Sequence, residues 1–246
     1  MNHLNTILFD LDGTLLPISD QDFEKLYFGA MVSLFTDIYT PEELIQLIWE
    51  CTKIMVKDTS DLTNEKVFFK AFEDRVGDRM PEFMRRFDAF YQTHFDVLKT
   101  AVKPSSVLKE AVQILKAKGY TLVIATNPMF PRLAIEKRIE WTGLNRVDFS
   151  YVTSFEDNHF CKPQLQYYQE ILQQIKKDPS ECLMVGNDVT EDMVAGKLGI
   201  HTYLLKDYKI QKGEILHPAE YEGSTDDFLG FVHALNPAFT ESNSSK

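Results

Sequence analysis

The sequence predicts an α/β fold in which a parallel sheet is covered by helices on both faces and a helical unit is inserted after the first strand. Three observations predict it. Five short apolar runs are spread along the chain. Amphipathic helical stretches separate most of them, the pattern of strands joined by crossover helices. After the first run, roughly eighty residues keep a helical period and offer no comparable strand.

The first run, residues 6–11 (TILFDL), stops at the Asp12-Gly13 turn signal and predicts a buried strand. Residues 19–98 follow as helices. Phe23, Leu26, Tyr27, Ala30, Met31 and Leu34 recur at helical spacing. Thr40-Pro41-Glu42-Glu43 is a helix start: Thr40 caps, Pro41 suits the first turn and Glu43 completes a capping box. Helices are expected at 64–76 and 81–95. Their phenylalanines (Phe68, Phe69, Phe72, Phe83, Phe87, Phe90) read as core of this unit. Residues 105–118 form the next helix, ended by Gly119. Strands are expected at 120–125, 149–153, 182–185 and 202–205, and helices at 164–177 and 226–235. The polar tail 236–246 is expected to fray.

Composition narrows the function classes. The chain has 246 residues, 44% hydrophobic and 26% charged, enough for a large core and unlike a disordered or fibrous sequence. Net charge is 26 − 37 = −11, with no hint of a nucleic-acid surface. No run approaches the roughly 18 apolar residues of a membrane helix. The first ten residues lack a basic segment followed by a long apolar one, so no secretory leader is expected. Cys51, Cys161 and Cys182 are far apart and form no CxxC, which fits reduced thiols in the cytoplasm.

Several motifs are absent. No two glycines lie two positions apart, which removes GxGxxG, and none lie four apart, which removes GxSxG; no P-loop or HExxH occurs. The six scattered histidines disfavour a zinc hydrolase or a Ser-His-Asp enzyme. Carboxylates remain. Asp12 beside Gly13 alone fits a turn residue. Asp10, directly after Ile7-Leu8-Phe9, is different: a buried unpaired carboxylate is costly, and a metal or cation would offset that. A second acidic group, Gly186-Asn187-Asp188-Val189-Thr190-Glu191-Asp192, follows the run 182–185. If a helix begins there, Asp188 and Asp192 share one face and repel, so a shared cation is the better explanation. Thr126-Asn127 follows 120–125, and Lys162-Pro163 precedes the helix at 164. All sit where open α/β sheets bind ligands.

In these four stretches and in their order, the chain resembles the haloacid dehalogenase-like hydrolases. The stretches are Phe9-Asp10-Leu11-Asp12-Gly13-Thr14, Thr126-Asn127, Lys162-Pro163 and Gly186 to Asp192. The resemblance implies a Rossmann-like core at 1–18 and 99–246 with a helical cap at 19–98, since 114 positions separate Asp12 from Thr126 and only 36 separate Thr126 from Lys162. It implies that Asp10 is a nucleophile and that Asp12 is a general acid/base offering its carbonyl to Mg²⁺. Thr126, with Asn127 beside it, would bind the phosphoryl group, and Lys162 would hold nucleophile and phosphate. The family usually reads Gly-Asp where this chain reads Gly186-Asn187-Asp188. Either Asp188 is the metal ligand with Asp192 four residues on, or Asn187 takes that place. A hard dication favours the charged oxygen of Asp188. Asp12 is a residue the phosphate-handling members carry and the dehalogenases lack. The resemblance therefore implies a cytoplasmic Mg²⁺-dependent phosphatase of a small phosphorylated metabolite. A phosphomutase and a binding protein without turnover are its rivals. Tyr27, Lys53 and Arg86 are unranked candidates for cap contacts with substrate.

Overall fold

The computed structural model describes residues 3–212, 215 and 217–238. Its sheet has six strands, all parallel: β1 (Thr6–Phe9), β2 (Thr121–Ile124), β3 (Tyr151–Val152), β4 (Cys182–Gly186), β5 (His201–Leu205) and β6 (Tyr221–Gly223). The spatial order is β3-β2-β1-β4-β5-β6. The chain therefore builds outward on one side of β1, then crosses back to place β4 on the other. That reversal makes a topological switch point, and a crevice opens beyond the strand ends there. The register brings those ends level, with Phe9 opposite both Ile124 and Val185.

Alternation along the strands feeds two cores. Ile7 and Phe9, with Leu122, Ile124, Leu183 and Val185, face α5 (Ser106–Ala117) and α8 (Thr225–Ala234). Leu8, Val123 and Met184 face α7 (Leu165–Ile175), through Tyr167, Tyr168 and Ile171. The first core continues into α6 (Arg132–Trp141) and into the helices after β1.

Those helices are α1 (Asp20–Ser33), α2 (Pro41–Lys57), α3 (Asn64–Val76) and α4 (Met80–Ala89). The capping box at Thr40 forms as expected: Glu43 N–H donates to Thr40 Oγ1 at 3.3 Å, and Thr40 N–H to Glu43 Oε2 at 2.9 Å. The helix expected to run through residue 95 ends at Ala89. A π turn (Phe90–His94) and a 3₁₀ stretch (Phe95–Ala101) continue it. Phe90, Phe95 and Leu98 are all buried across this change of phase. The first amides of α3, which have no intrahelical partner, dock on the loop after β3. Asn64 N–H donates to Asn158 O at 2.8 Å and Glu65 N–H to Phe155 O at 3.0 Å.

Other expectations shift at their edges. The first strand closes at Phe9, because Gly13 N–H to Leu16 O and Leu16 N–H to Leu11 O, both 2.8 Å, fold residues 11–16 into a tight loop. The third strand shortens to Tyr151–Val152, and β6 was not expected. No α-helix starts at Asp188; turns lead into a 3₁₀ stretch (Met193–Leu198). Residues 236–238, expected to fray, are pinned: Ala238 N–H donates to Lys118 O and Tyr120 Oη to Asn236 O, both at 2.8 Å. Residues 239–246 lie outside the described residues. No described helix is long and apolar enough to cross a membrane.

Candidate active site

Asp10 is the first residue beyond β1. Its N–H still reaches across to Val185 O at 2.9 Å, so the sheet fixes its backbone. Its Oδ1 accepts from Lys162 Nζ at 2.8 Å, and the same ammonium donates to Asp192 Oδ1 at 2.6 Å. Lys162 is 1% exposed and Asp192 is equally buried, with the Tyr167 ring 5.9 Å from the ammonium. Residues 152 and 30 positions away in sequence thus meet on one cation. Burial opposes the charge on Lys162, but Asp10 and Asp192 outweigh it and hold the lysine well above its usual value. Burial pushes the Asp192 carboxyl up to about 7; Lys162 pulls the other way and Asp10 adds to the rise.

Asp12 pairs with Arg138, which is wholly buried on α6. Arg138 Nε donates to Ala134 O at 3.2 Å, and the guanidinium stacks 4.7 Å from the centre of the Phe130 ring and 5.6 Å from that of Phe23. The other Asp12 oxygen, Oδ1, is buried without a hydrogen-bond partner. Burial raises the Asp12 pKa to about 6, against the pull of Arg138 and helped by Asp10.

Thr126 is buried directly after the β2 ladder. Its carbonyl accepts from Thr153 Oγ1 at 2.7 Å and Tyr167 Oη at 2.8 Å, which fixes the backbone. Asn127 uses both ends of its amide on the protein: Oδ1 accepts from Lys162 N–H at 3.2 Å and Nδ2 donates to Glu191 at 3.0 Å. It clips the loops of Lys162 and Glu191 together.

Asn187 behaves similarly. Its Oδ1 accepts from Thr14 Oγ1 at 3.0 Å and its Nδ2 donates to Tyr208 O at 2.7 Å. It presses on Gly13, where φ is +74° and a Cβ would stand 2.3 Å from Asn187 Nδ2; only glycine fits. Asp188 and Asp192 do not share a helix face. Asp192 turns inward to Lys162 and accepts Asp188 N–H on Oδ2 at 2.9 Å. Asp188 faces the cavity rim, its Oδ1 accepting from Thr190 and Glu191 N–H at 2.7 and 2.8 Å. The loop is an Asx turn and not a helix start, so the expected shared face is corrected.

Asp10, Asp12, Thr126, Asn127, Asn187, Asp188 and Asp192 all line one cavity of about 630 Å³, with Lys162 buried behind them. Tyr27 and Lys53 line it too. Arg86 does not; it forms a fork on Asp37, with Nη2 to Oδ2 at 2.7 Å, and reaches Glu82. Sequence reasoning missed Arg138 and Glu191. Arg138 carried a signal: it stands at helical spacing from Ala134 and Ile135, on the apolar face. Glu191 is pushed up to about 8, chiefly by burial, and sits among Asp188, Asp192 and Asp10. Five carboxyl groups (Asp10, Asp12, Asp188, Glu191, Asp192) thus meet two buried cations, Lys162 and Arg138.

No three acidic, histidine or cysteine side chains converge as a ready metal cluster among the described residues. The oxygen set and the surplus of negative charge nevertheless fit a hard dication.

A family model described as haloacid dehalogenase-like hydrolase matches residues 4–199. A pyrophosphatase (PpaX) of Anoxybacillus flavithermus is 30% identical over 195 residues, covering 79% of this chain and 80% of the relative. Two solved structures share the fold. A predicted phosphoglycolate phosphatase of Haemophilus somnus has a TM-score of 0.62 at 20% identity, covering 94% of this chain and 99% of the other. The Bacillus subtilis hydrolase YfnB, bound to magnesium, has a TM-score of 0.57 at 20% identity, covering 94% and 99%.

Proposed function

The chain belongs to the haloacid dehalogenase-like hydrolases, and on that footing we propose that it is a Mg²⁺-dependent phosphatase acting on a small phosphomonoester through an aspartyl-phosphate on Asp10. One observation carries this reading: Lys162 joins Asp10 to Asp192 in a buried triad at the switch point of the sheet. A carboxylate held against an ammonium there is positioned for an incoming phosphate, and the cation offsets the repulsion between two anions.

Asp10, the carbonyl of Asp12 and Asp188 would hold the metal. Bound there, Mg²⁺ would neutralise charge on the transferring phosphoryl group. The remaining roles belong to the chain. Thr126 and Lys162 orient the phosphate. An Asp10 oxygen forms a bond to phosphorus as the ester P–O bond breaks. Asp12 gives its proton to the departing alkoxide, which leaves as the alcohol. Water then attacks the phosphorus of the aspartyl-phosphate, Asp12 takes back a proton, and inorganic phosphate departs with Asp10 restored. A carboxyl with a pKa near 6 suits a group that must both give and accept a proton near neutrality. Arg138 positions Asp12 from behind. Helices α1 to α4 act as the cap that shields the site.

The test is phosphate release from an aryl phosphate with Mg²⁺. The wild-type protein is expected to turn over. Chelation of Mg²⁺, or Asp10→Asn, is expected to abolish turnover while the circular dichroism spectrum stays native. Wild-type rates in Asp10→Asn would remove the nucleophile from the account.

A further inference from the structure

The cavity beyond the strand ends is far larger than a phosphate needs. Its volume of about 630 Å³ lies in the range of sites that enclose drug-sized organic molecules. Beyond the carboxylates at the strand ends, its lining divides by exposure. Glu24, Lys53, Lys57 and Lys212 are exposed and form the mouth. Phe23, Phe68, Phe69, Tyr91 and Phe130 are half-buried and face inward, with Trp49 38% exposed nearer solvent. The phenylalanines of the helical segment were expected to be core. Phe72, Phe83, Phe87 and Phe90 are buried and Phe68 and Phe69 pack against that core, but Phe68, Phe69 and Phe87 also wall the cavity.

The rings are packed against one another and so present a pre-ordered apolar wall. Phe68 and Phe69 both meet Phe155 edge-on at 5.8 and 5.7 Å, and Phe23 meets Phe130 at 5.4 Å. Among the described residues no arginine lines the cavity. A second phosphate, or a polyhydroxylated sugar, would be desolvated against a wall made mostly of phenylalanine, in which the Tyr27 and Tyr91 hydroxyls already bond each other at 2.9 Å. An aromatic leaving group would bury its faces there.

Resting on the phosphatase reading above, we infer that this cavity selects phosphomonoesters whose leaving group is a bulky aromatic-bearing alcohol, in preference to pyrophosphate or a sugar phosphate. The phosphate sits at Asp10 and the ring system lies between α1, α3 and the loop around Phe130.

The test compares 2-(1-naphthyl)ethyl phosphate, glycerol 1-phosphate and inorganic pyrophosphate in the presence of Mg²⁺. The first two release alkoxides of similar basicity, so their difference reports recognition and not leaving-group chemistry. The inference expects kcat/KM for the naphthyl ester to exceed that for glycerol 1-phosphate at least about 100-fold, as several apolar contacts each contribute tenfold or more. Phe68→Ala should lower the naphthyl value about tenfold, mainly through KM, and so shrink the ratio of naphthyl to glycerol kcat/KM. Trp49→Ala, at an exposed position that tolerates truncation, should act in the same direction. Comparable rates on all three substrates, or a preference for pyrophosphate, would overturn the aromatic preference while leaving the phosphatase reading standing. No phosphate from any of them would overturn both.

Discussion

At the residue scale the chemistry rests on how Lys162 is shared. One ammonium serves two carboxyl groups, so once Asp192 ionises, above about pH 7, the buried group carries a net negative charge, which a bound dication would offset. The choice of metal ligand between Asn187 and Asp188 follows from what each side chain already does. Asn187 spends both ends of its amide on Thr14 and Tyr208. Asp188 uses one oxygen on the Asx turn and lies at the cavity. Asp188→Ala is therefore expected to raise the Mg²⁺ concentration for half-maximal activity at least about tenfold. Asn187→Ala should chiefly lower thermal stability, by about 1–2 kcal/mol for its two lost hydrogen bonds. Magnesium titrations of both variants check this; the reverse order would transfer the ligand role to Asn187. Asp10 stood out in the sequence because a carboxylate directly after a buried strand has few structural uses, whereas Asp12 and Lys162 were singled out through the family resemblance and Asp192 through its place in the second acidic group. Arg138 was not read, because its partner Asp12 lies 126 positions away and local pattern says nothing about such pairs.

At the element scale, strand ends deliver the side chains and glycines permit their approach. Strands and long helices were legible from periodicity. β6 was not, since three residues give no period. The π turn at Phe90–His94 also escaped, because rephasing is decided by what must be buried across the unit. The loop of Gly186 to Asp192 shows how tight the fit is. A Cβ on Gly186 would lie 2.1 Å from Asp192 Oδ2 and 2.6 Å from its Cβ. Gly186→Ala must then push Asp192 off Lys162. We expect a loss of about 1–3 kcal/mol in urea unfolding, as for overpacked cores, and at least about a tenfold fall in kcat. A fully active, fully stable Gly186→Ala protein would show that the triad is not so constrained.

At the scale of the whole molecule, buried acids tie stability to pH and metal. Glu191, Asp192 and Asp12 are raised to about 8, 7 and 6, from ordinary values of 4.5, 3.8 and 3.8. Between those limits the folded state binds more protons than the unfolded one, so stability falls as pH rises. Acids held low, such as Asp37 and Asp227, act in the opposite sense, but only at more acidic pH. The metal-free protein should therefore melt at a lower temperature at pH 8 than at pH 5.5. Added Mg²⁺ should raise the melting temperature more at pH 8, where it need not displace protons. Scanning calorimetry with and without chelator decides it; a metal-free melting temperature that climbs from pH 5.5 to 8 would contradict the account. The architecture itself was legible, since alternating runs dictated a parallel sheet. The cavity wall was not, because a phenylalanine facing a cavity and one facing a core share the same spacing.

The most direct test asks whether Asp10 carries the phosphoryl group. The protein is quenched in acid during turnover of an aryl phosphate with Mg²⁺, reduced with borohydride, digested and sequenced by mass spectrometry. The account predicts conversion of the side chain to an alcohol at Asp10 alone, and none in Asp10→Asn. Reduction at another carboxylate, or steady phosphate release with Asp10 never modified, would contradict it.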